Sequence, residues 1–214
     1  QALQGSLDAP DSLTRHVVLG QVYTQLGLHA LSEQCWLTVL RERPDWGTGW
    51  AYLGYARWGQ AKPALDDLQR GTVLEPQSPL VWYFLGRWYA DQGFPQPAAM
   101  AFAQGLTLDP QSVGLLLELA GAQAAKGQYP QAQNTLSAAA ELASDDVEVQ
   151  LAVARFYLDR LLEVPNRGLP AAETAVQSAP NDARAHDLLG WAAWLTEDAE
   201  RAATELETAL GLDP

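Results

Sequence analysis

The side chains that could perform chemistry in this chain are few and scattered. His16, His29 and His186 show none of the short spacings with which histidines bind a metal ion. The acid pairs Asp66-Asp67 and Asp145-Asp146 lie on a predicted helix surface and at a predicted turn between repeats, respectively, and sequence neighbours there point in different directions. They therefore do not predict a pair of catalytic carboxylates. We expect no catalytic residue, no metal site and no cofactor.

Other signatures of catalysis are missing from the sequence as well. It contains no Gly-x-Ser-x-Gly nucleophile motif and no glycine-rich phosphate loop. Cys35, the single cysteine, falls inside an apolar helical pattern, where a buried and inert thiol is expected. The sequence favours a binding protein over an enzyme, and it leaves open that catalysis is encoded elsewhere in a longer protein.

Charge restricts the class of partner. The formal net charge of the 214 residues is −13, which argues against nucleic acid, whose binding needs clustered Lys and Arg. Residues 141–214 hold 15 acids and 5 bases, so this part could attract a basic partner or could simply present a solvated helix surface. The sequence contains no apolar run of about eighteen residues, so no membrane span is predicted. The cellular compartment stays open.

Prolines divide the chain at regular intervals. They stand at Pro10, Pro44, Pro76, Pro110, Pro180 and Pro214. The spacings are 34, 32, 34, 70 and 34 residues, and Ser144 stands midway in the long interval. We therefore predict one array of six repeats, with boundaries at 11–44, 45–76, 77–110, 111–144, 145–180 and 181–214. Residues 1–10 resemble the end of a preceding repeat, so we expect a slice of a longer protein.

Each repeat carries the pattern of two helices. In the third repeat, one helical face holds Trp82, Leu85, Gly86 and Tyr89, and a second holds Ala98, Phe102 and Leu106. Gly93 lies between the two faces, where the chain must reverse. Small residues recur at one equivalent position, which would let the two helices approach closely: Gly20, Gly54, Gly86, Ala120, Ala154 and Gly190.

This pattern resembles the tetratricopeptide repeat (TPR), whose signature is Trp-x2-Leu-Gly-x2-Tyr, then Ala-x3-Phe, then Pro over 34 residues. Residues 79–110 match it at seven positions, and the other repeats match it in part: Trp82, Leu85, Gly86, Tyr89, Ala98, Phe102 and Pro110. The resemblance implies an all-α fold, a TPR-type α-solenoid in which antiparallel helix pairs stack into a right-handed superhelix. Stacking would bury the faces that one pair leaves open.

The resemblance also implies a concave groove lined by the first helix of each pair. By register, the candidate partner-binding residues are Val17, Gln21, Tyr52, Tyr55, Trp58, Tyr83, Arg87, Leu117, Leu151, Arg155, Trp191 and Trp194. The aromatics could anchor a partner or pack against neighbouring helices, and Trp191 and Trp194 could instead contact a further repeat. Trp36, Trp50, Trp82 and Trp88 are predicted to belong to the core.

Arg87 and Arg155 occupy the same position two repeats apart. They could grip a carboxylate or phosphate, or they could form intrahelical ion pairs with Asp91 and Asp159, four residues further on. The Lys and Asn with which some TPR proteins bind chaperone C-termini are absent from the corresponding positions. An extended or helical peptide with apolar anchors is the better hypothesis for the partner.

Two turns depart from the repeat. The turn of the second repeat, near residues 59–61, is two residues short, and that of the fifth, residues 161–168, is two residues long and predicted to bulge. Neutral drift or a partner contact could explain them. Three functional hypotheses remain: a protein–protein interaction scaffold, a structural or self-assembly module that associates through open repeat ends, and an accessory region of a larger enzyme or sensor.

Overall fold

The computed structural model describes residues 12–213, and within this range the chain folds into α-helices without β-strands. The helices are α1 Ser12–Gln25, α2 His29–Glu42, α3 Gly47–Trp58, α4 Leu65–Leu74, α5 Pro79–Asp91, α6 Pro95–Leu108, α7 Val113–Ala125, α8 Tyr129–Leu142, α9 Val147–Asp159, α10 Leu169–Ser178, α11 Ala183–Leu195 and α12 Ala199–Leu212. The predicted all-α class is confirmed. The predicted repeat fragment at residues 1–10 lies outside the described residues.

Tight turns join the helices into antiparallel pairs. Between α5 and α6, Gly93 takes a φ of +74°, a conformation that glycine adopts without steric strain. The Phe94 amide then donates to the Tyr89 carbonyl at 2.8 Å, and Pro95 starts the next helix. A proline costs little there, because the first amides of a helix have no intrahelical acceptor. The reversal predicted at Gly93 is thereby confirmed.

The described residues form two compact units, which divide between residues 122 and 123. In the described part of the first unit, the largest fully buried side chains are Trp36, Phe102, Leu53 and Leu68. In the second unit they are Leu158, Leu188, Leu189 and Val149. Each unit therefore has an apolar core of its own. The six repeat boundaries and the single array stay predictions.

Close approach of paired helices requires the predicted small residues. A Cβ atom built on Gly86 would lie 2.5 Å from the Phe102 ring, and one on Gly54 would lie 2.7 Å from Leu68 Cγ. In the second unit, a Cβ on Gly190 would lie 2.7 Å from Leu206 Cγ. Such distances are far shorter than a normal carbon–carbon contact. The first helix of these pairs thus lacks a side chain where the second helix inserts one.

A repeated hydrogen bond fixes the start of the first helix in several pairs. Trp82 Nε1 donates to the Pro76 carbonyl at 2.9 Å, and Trp50 Nε1 donates to the Pro44 carbonyl at 2.8 Å. This bond holds an edge of the indole near solvent, so Trp50 and Trp82 are half-buried rather than core residues as predicted. Trp88 is also half-buried, whereas Trp36 is fully buried as predicted.

The two unusual turns differ from the others in backbone structure. In the second pair, α4 begins only at Leu65, and Ala61 in the preceding turn has a φ of +55°. In the fifth, a π-helical turn at Val164–Gly168 precedes α10, and Leu161 and Glu163 have φ values of 51° and 40°. The predicted bulge is confirmed in the fifth turn. The predicted short turn of the second pair is wrong, because six residues, 59–64, separate α3 from α4, whereas three separate α5 from α6. The repeat is short because α4 has 10 residues, whereas α6 has 14.

Candidate functional site

Three of the predicted groove aromatics lie together in the first unit. Tyr55 and Trp58 belong to α3, and their rings meet edge-on with centroids 5.5 Å apart. Tyr83 belongs to α5. Phe84 connects them, because its ring centroid lies 4.9 Å from that of Tyr55 and 5.7 Å from that of Tyr83. We call Tyr55, Trp58 and Tyr83 the inner aromatic face.

The inner aromatic face is partly exposed to solvent. All three residues are half-buried, so each packs against its neighbours and keeps part of its ring accessible. Trp58 is fixed further, since its Nε1 donates to Asp91 Oδ2 at 3.0 Å. A partner that contacts these rings would find them already ordered, and little side-chain entropy would be lost on binding. The geometry suits a contact surface for apolar groups.

Arg87 borders this face and is paired across helices. Its NH1 group donates to Glu118 Oε1 at 2.9 Å and to the Tyr83 hydroxyl at 3.1 Å. The predicted intrahelical pair with Asp91 is wrong, because Asp91 accepts hydrogen bonds from Trp58 and Gln92 instead. The guanidinium therefore orients the Tyr83 side chain. It can also contribute to recognition, since its side chain retains 40% exposure.

Glu118 gives this edge of the face an unusual electrostatic character. Burial raises the pKa of its carboxyl group, and the nearby Arg87 guanidinium lowers it only in part, so the pKa lies above its ordinary value. A carboxylate in this position is stabilised mainly by one cation. The Arg87–Glu118 pair is thus a polar boundary beside the three aromatic rings.

The other predicted residues of the first unit contribute less to an open surface. Tyr52 stacks on Trp36, with ring centroids 4.6 Å apart and planes 5° from parallel, so it belongs mainly to the core. Val17 and Gln21 on α1 and Leu117 on α7 are half-buried. Among the predicted residues of the first unit, the partly exposed residues that lie together are Tyr55, Trp58, Tyr83 and Arg87.

The predicted residues of the second unit separate into two sets. Leu151 is only 7% exposed and packs in the core with Leu188, so it does not line an open surface as predicted. Its neighbours on α11 fill the space that a ligand would need. Arg155, Trp191 and Trp194 are exposed, and Trp194 reaches 65%. They do not form a ring cluster like the one in the first unit.

The predicted ion pair between Arg155 and Asp159 is also wrong. Within the part of the chain that the structure describes, the cation near Asp159 is Arg160, whose NH1 lies 3.9 Å from the carboxylate. Arg155 remains solvated, as an exposed residue with a long side chain can be at little cost. Equivalent repeat positions therefore place Arg87 and Arg155 in different environments.

A cleft that the sequence did not predict opens beside the shortened helix of the second pair. We call it the turn cleft; its volume is about 670 Å³, and its principal lining residues are Arg57, Trp58, Lys62, Asp66, Asp67 and Trp88. Asp67 is buried against Arg57 at 2.7 Å, so it is not the surface acid that the sequence suggested. The two-residue deletion was the only signal of this cleft, and length alone does not reveal which side chains border it.

No group of three or more His, Cys, Asp or Glu side chains in residues 12–213 could hold a metal ion. No helix in the described range combines the length and the apolar character needed to cross a membrane.

The repeat pattern, the paired helices and the helix-packing glycines agree with the comparison to known families. Two family models, both described as tetratricopeptide repeat, match residues 89–156 and 165–214. The chain belongs to the tetratricopeptide repeat family. The TPR assignment explains the 34-residue spacing and the glycine that recurs where paired helices meet. TPR proteins bind protein partners and are generally scaffolds without catalytic activity, which supports a role in protein–protein interaction.

Relatives of this TPR protein are longer or distant in sequence. It is 31% identical over 103 residues to tetratricopeptide repeat protein 37 of Xenopus laevis, a match that covers 46% of this chain and 7% of that protein. The chain thus spans a small fraction of that curated relative.

Solved TPR structures share its fold at low identity. The APC/C hetero-tetramer Cut9–Hcn1 superposes with a TM-score of 0.81 at 16% identity, covering 100% of this chain and 42% of that one. YrrB, described as a TPR protein with an unusual peptide-binding site, superposes with a TM-score of 0.60 at 18% identity, covering 84% of this chain and 92% of that one. At these identities the similarity concerns the fold alone.

Proposed function

We propose that this TPR protein is a non-enzymatic scaffold that binds a peptide or protein segment through the inner aromatic face. The observation that carries the proposal is the connected cluster of Tyr55, Trp58 and Tyr83, ordered by Phe84 and Asp91 and only half-buried. Aromatic anchors bury a large apolar area with few rotatable bonds to freeze, and they are frequent in binding hot spots.

The polar edge of the face supports an oriented partner. Arg87 and Glu118 lie next to Tyr83, and each can offer a hydrogen bond to the backbone of a bound segment when the pair opens. Apolar side chains of the segment would then cover the rings. An extended strand or an amphipathic helix with apolar anchors fits this arrangement.

The experiment is selection of peptides from a random library on the wild-type protein, followed by measurement of their affinity for variants. Tyr83→Ala is expected to weaken binding about tenfold or more, as truncation of a central aromatic anchor does. Tyr129→Ala is the matched control, because Tyr129 is an exposed tyrosine of the second unit. Equal affinity of both variants and the wild type would reject the face as the binding site.

A second candidate, self-association, is favoured by a different observation. Trp194 on α11 and Leu210 on α12 are 65% and 67% exposed, and both are large apolar residues of the second unit. Apolar residues left in contact with water favour association between copies. Light scattering over a range of concentrations tests this: Leu210→Glu should keep a self-associating protein monomeric, and a wild type that is monomeric throughout would reject the candidate.

A further inference from the structure

The turn cleft exists because one helix starts late. Helix α3 ends at Trp58 and α4 begins at Leu65, whereas α6 begins at Pro95 after α5 ends at Asp91. As a result α4 has 10 residues and α6 has 14, a difference of about one helical turn. The space that this turn would fill is the cleft of about 670 Å³. The cleft is therefore a consequence of the short repeat, and it lies wholly within the first unit.

Two tryptophans line the cleft. Trp58 also belongs to the inner aromatic face, so the cleft adjoins the proposed binding surface. The Trp58 indole is fixed, because Asp91 Oδ2 accepts from its Nε1 at 3.0 Å and also from Gln92 Nε2 at 3.0 Å. Trp88 contributes from α5 and is half-buried. Indole faces carry negative electrostatic potential and attract cations.

The ion pairs around the cleft leave one acid of its lining without a partner. Arg57 contacts Glu33 at 3.2 Å and Asp67 at 2.7 Å, and Lys62 contacts Glu33 at 2.5 Å. Both cations are thus engaged by carboxylates of the protein. Glu33 pairs with both cations but does not itself line the cleft, so the lining residues carry two acids and two bases. Asp66, whose side chain is exposed, is the acid of the lining that has no ion pair within the described residues.

We propose that the turn cleft binds the cationic side chain of an arginine or lysine in the segment held by the inner aromatic face. The inference rests on the proposed function, since Trp58 is shared by both surfaces, and it specifies a basic residue beside the apolar anchors. Trp58 and Trp88 would contact the aliphatic stem and the charged group, and Asp66 would pair with the charge.

An anionic or neutral occupant fits less well. An anion would have to displace the carboxylates already bound to Arg57 and Lys62, and it would face the unpaired Asp66. A neutral apolar group would leave Asp66 without an ion-pair partner. A cation would pair with Asp66 without breaking the existing ion pairs, and electrostatic complementarity of this kind favours the correct partner over others.

The state of Asp67 is consistent with this chemistry. Burial raises the pKa of its carboxyl group; Arg57 counteracts this, while the charges of Asp66 and Glu33 raise the pKa further, and the net pKa is above the ordinary value. An additional cation in the cleft would favour the ionised forms of these carboxylates.

The test uses N-acetyl-arginine amide as a probe of the full chain, with the neutral N-acetyl-citrulline amide as its isosteric control. Tryptophan indole signals are followed by NMR during titration and assigned with Trp58→Phe and Trp88→Phe variants. We expect the Trp58 and Trp88 signals to shift with the arginine probe and not with citrulline. Equal shifts with both probes, or no shift of either signal, would overturn the proposal.

Substitution of the unpaired acid adds a second criterion. Asp66→Asn should weaken the arginine titration about five- to tenfold through loss of the charge partner. Asp109→Asn removes an exposed acid of the same unit away from the cleft and should leave the titration unchanged. If both variants titrate like the wild type, Asp66 does not bind the cation and the proposal is wrong.

The library peptides separate this inference from the proposed function. Peptides selected on the wild type should be enriched in Arg or Lys beside apolar residues, and the enrichment should disappear on Asp66→Asn. Peptides that depend on Tyr83 but show no basic enrichment would contradict the cleft proposal and retain the proposed function. If no peptide binds although the arginine probe shifts Trp88, the proposed function fails and the cleft has no role in segment binding.

Discussion

Trp82 Nε1 donates a 2.9 Å hydrogen bond to the Pro76 carbonyl, six residues earlier in the chain. The same bond recurs with other donors: Gln150 Nε2 donates to the Ser144 carbonyl at 2.6 Å, and His186 Nε2 lies 3.0 Å from the Pro180 carbonyl. The same geometry thus recurs along the chain with an indole, an amide and an imidazole as the side-chain group. The bond ties the end of one helix pair to the first helix of the next.

Removing this donor should weaken the first unit. Trp82→Phe keeps most of the ring but leaves the Pro76 carbonyl without its donor, and we expect the free energy of unfolding to fall by about 1 kcal/mol. Urea denaturation measures this. Trp88→Phe is the control, because the Trp88 indole has no hydrogen-bond partner in residues 12–213. Equal losses in the two variants would show that the hydrogen bond contributes nothing.

The packing glycine of the third pair should not tolerate even one methyl group. Because a Cβ on Gly86 would lie 2.5 Å from the Phe102 ring, Gly86→Ala should lower the free energy of unfolding by about 1–3 kcal/mol. Gly121→Ala is the matched control, since a Cβ there meets no atom within 4 Å in helix α7. That variant should gain about 0.5–1 kcal/mol from helix propensity. Destabilisation of both by the same amount would contradict the packing explanation.

Glu197 offers a stabilising substitution. It has a φ of 64° two residues before α12, the position at which Gly93 stands before α6 with a φ of +74°. A residue with a side chain is strained in this region, so Glu197→Gly should raise the free energy of unfolding by about 0.5–1 kcal/mol. Thermal or urea denaturation measures the gain, and the reciprocal Gly93→Ala should show a loss. A less stable Glu197→Gly would mean that the strain is absent.

His186 should make the stability of the second unit depend on pH. Burial alone lowers its pKa, but hydrogen bonds with Glu205 at 2.6 Å and with the Pro180 carbonyl outweigh this, so the pKa lies above its ordinary value of 6.5. A raised pKa means that the folded state binds the proton more tightly than the unfolded state. The stabilisation is therefore complete below about pH 6.5 and is lost as the pH rises through the folded pKa.

His186→Gln isolates this effect. Glutamine at the equivalent Gln150 makes the same backbone hydrogen bond but does not titrate. The wild type should lose unfolding free energy relative to the variant as the pH rises above 6.5, as measured by urea denaturation. An identical pH profile for both proteins would show that the imidazole does not remain protonated through its contact with Glu205.

Local patterns predicted the parts of the fold that depend on neighbouring residues. The helix pairs, the reversal at Gly93 and the close approach at Gly86 follow from periodicity and residue size, which the sequence displays directly. The position of Trp82 was predicted less well. Its apolar ring indicates a core residue, but its polar edge reaches a backbone carbonyl that the pattern does not contain.

Partners across helices could not be predicted in the same way. Register placed Arg87 near Asp91, yet Arg87 pairs with Glu118 because α7 brings a buried carboxylate within 2.9 Å. Register likewise placed Leu151 and Tyr83 at the same position of their repeats, although only Leu151 is buried by neighbouring side chains. The turn cleft depends on where α4 begins. The length of the repeat indicates that this part of the chain is shortened, but three-dimensional packing determines the residue at which the helix begins.

Fluorine NMR of the protein labelled with 5-fluorotryptophan, titrated with a library-selected peptide, tests the central claim most directly. Trp58 lies in the inner aromatic face and Trp194 is exposed in the second unit, so one spectrum reports on both surfaces. The Trp58 signal should shift and saturate with the peptide while that of Trp194 stays constant. A saturating shift of Trp194 with an unchanged Trp58 would show that the segment binds elsewhere.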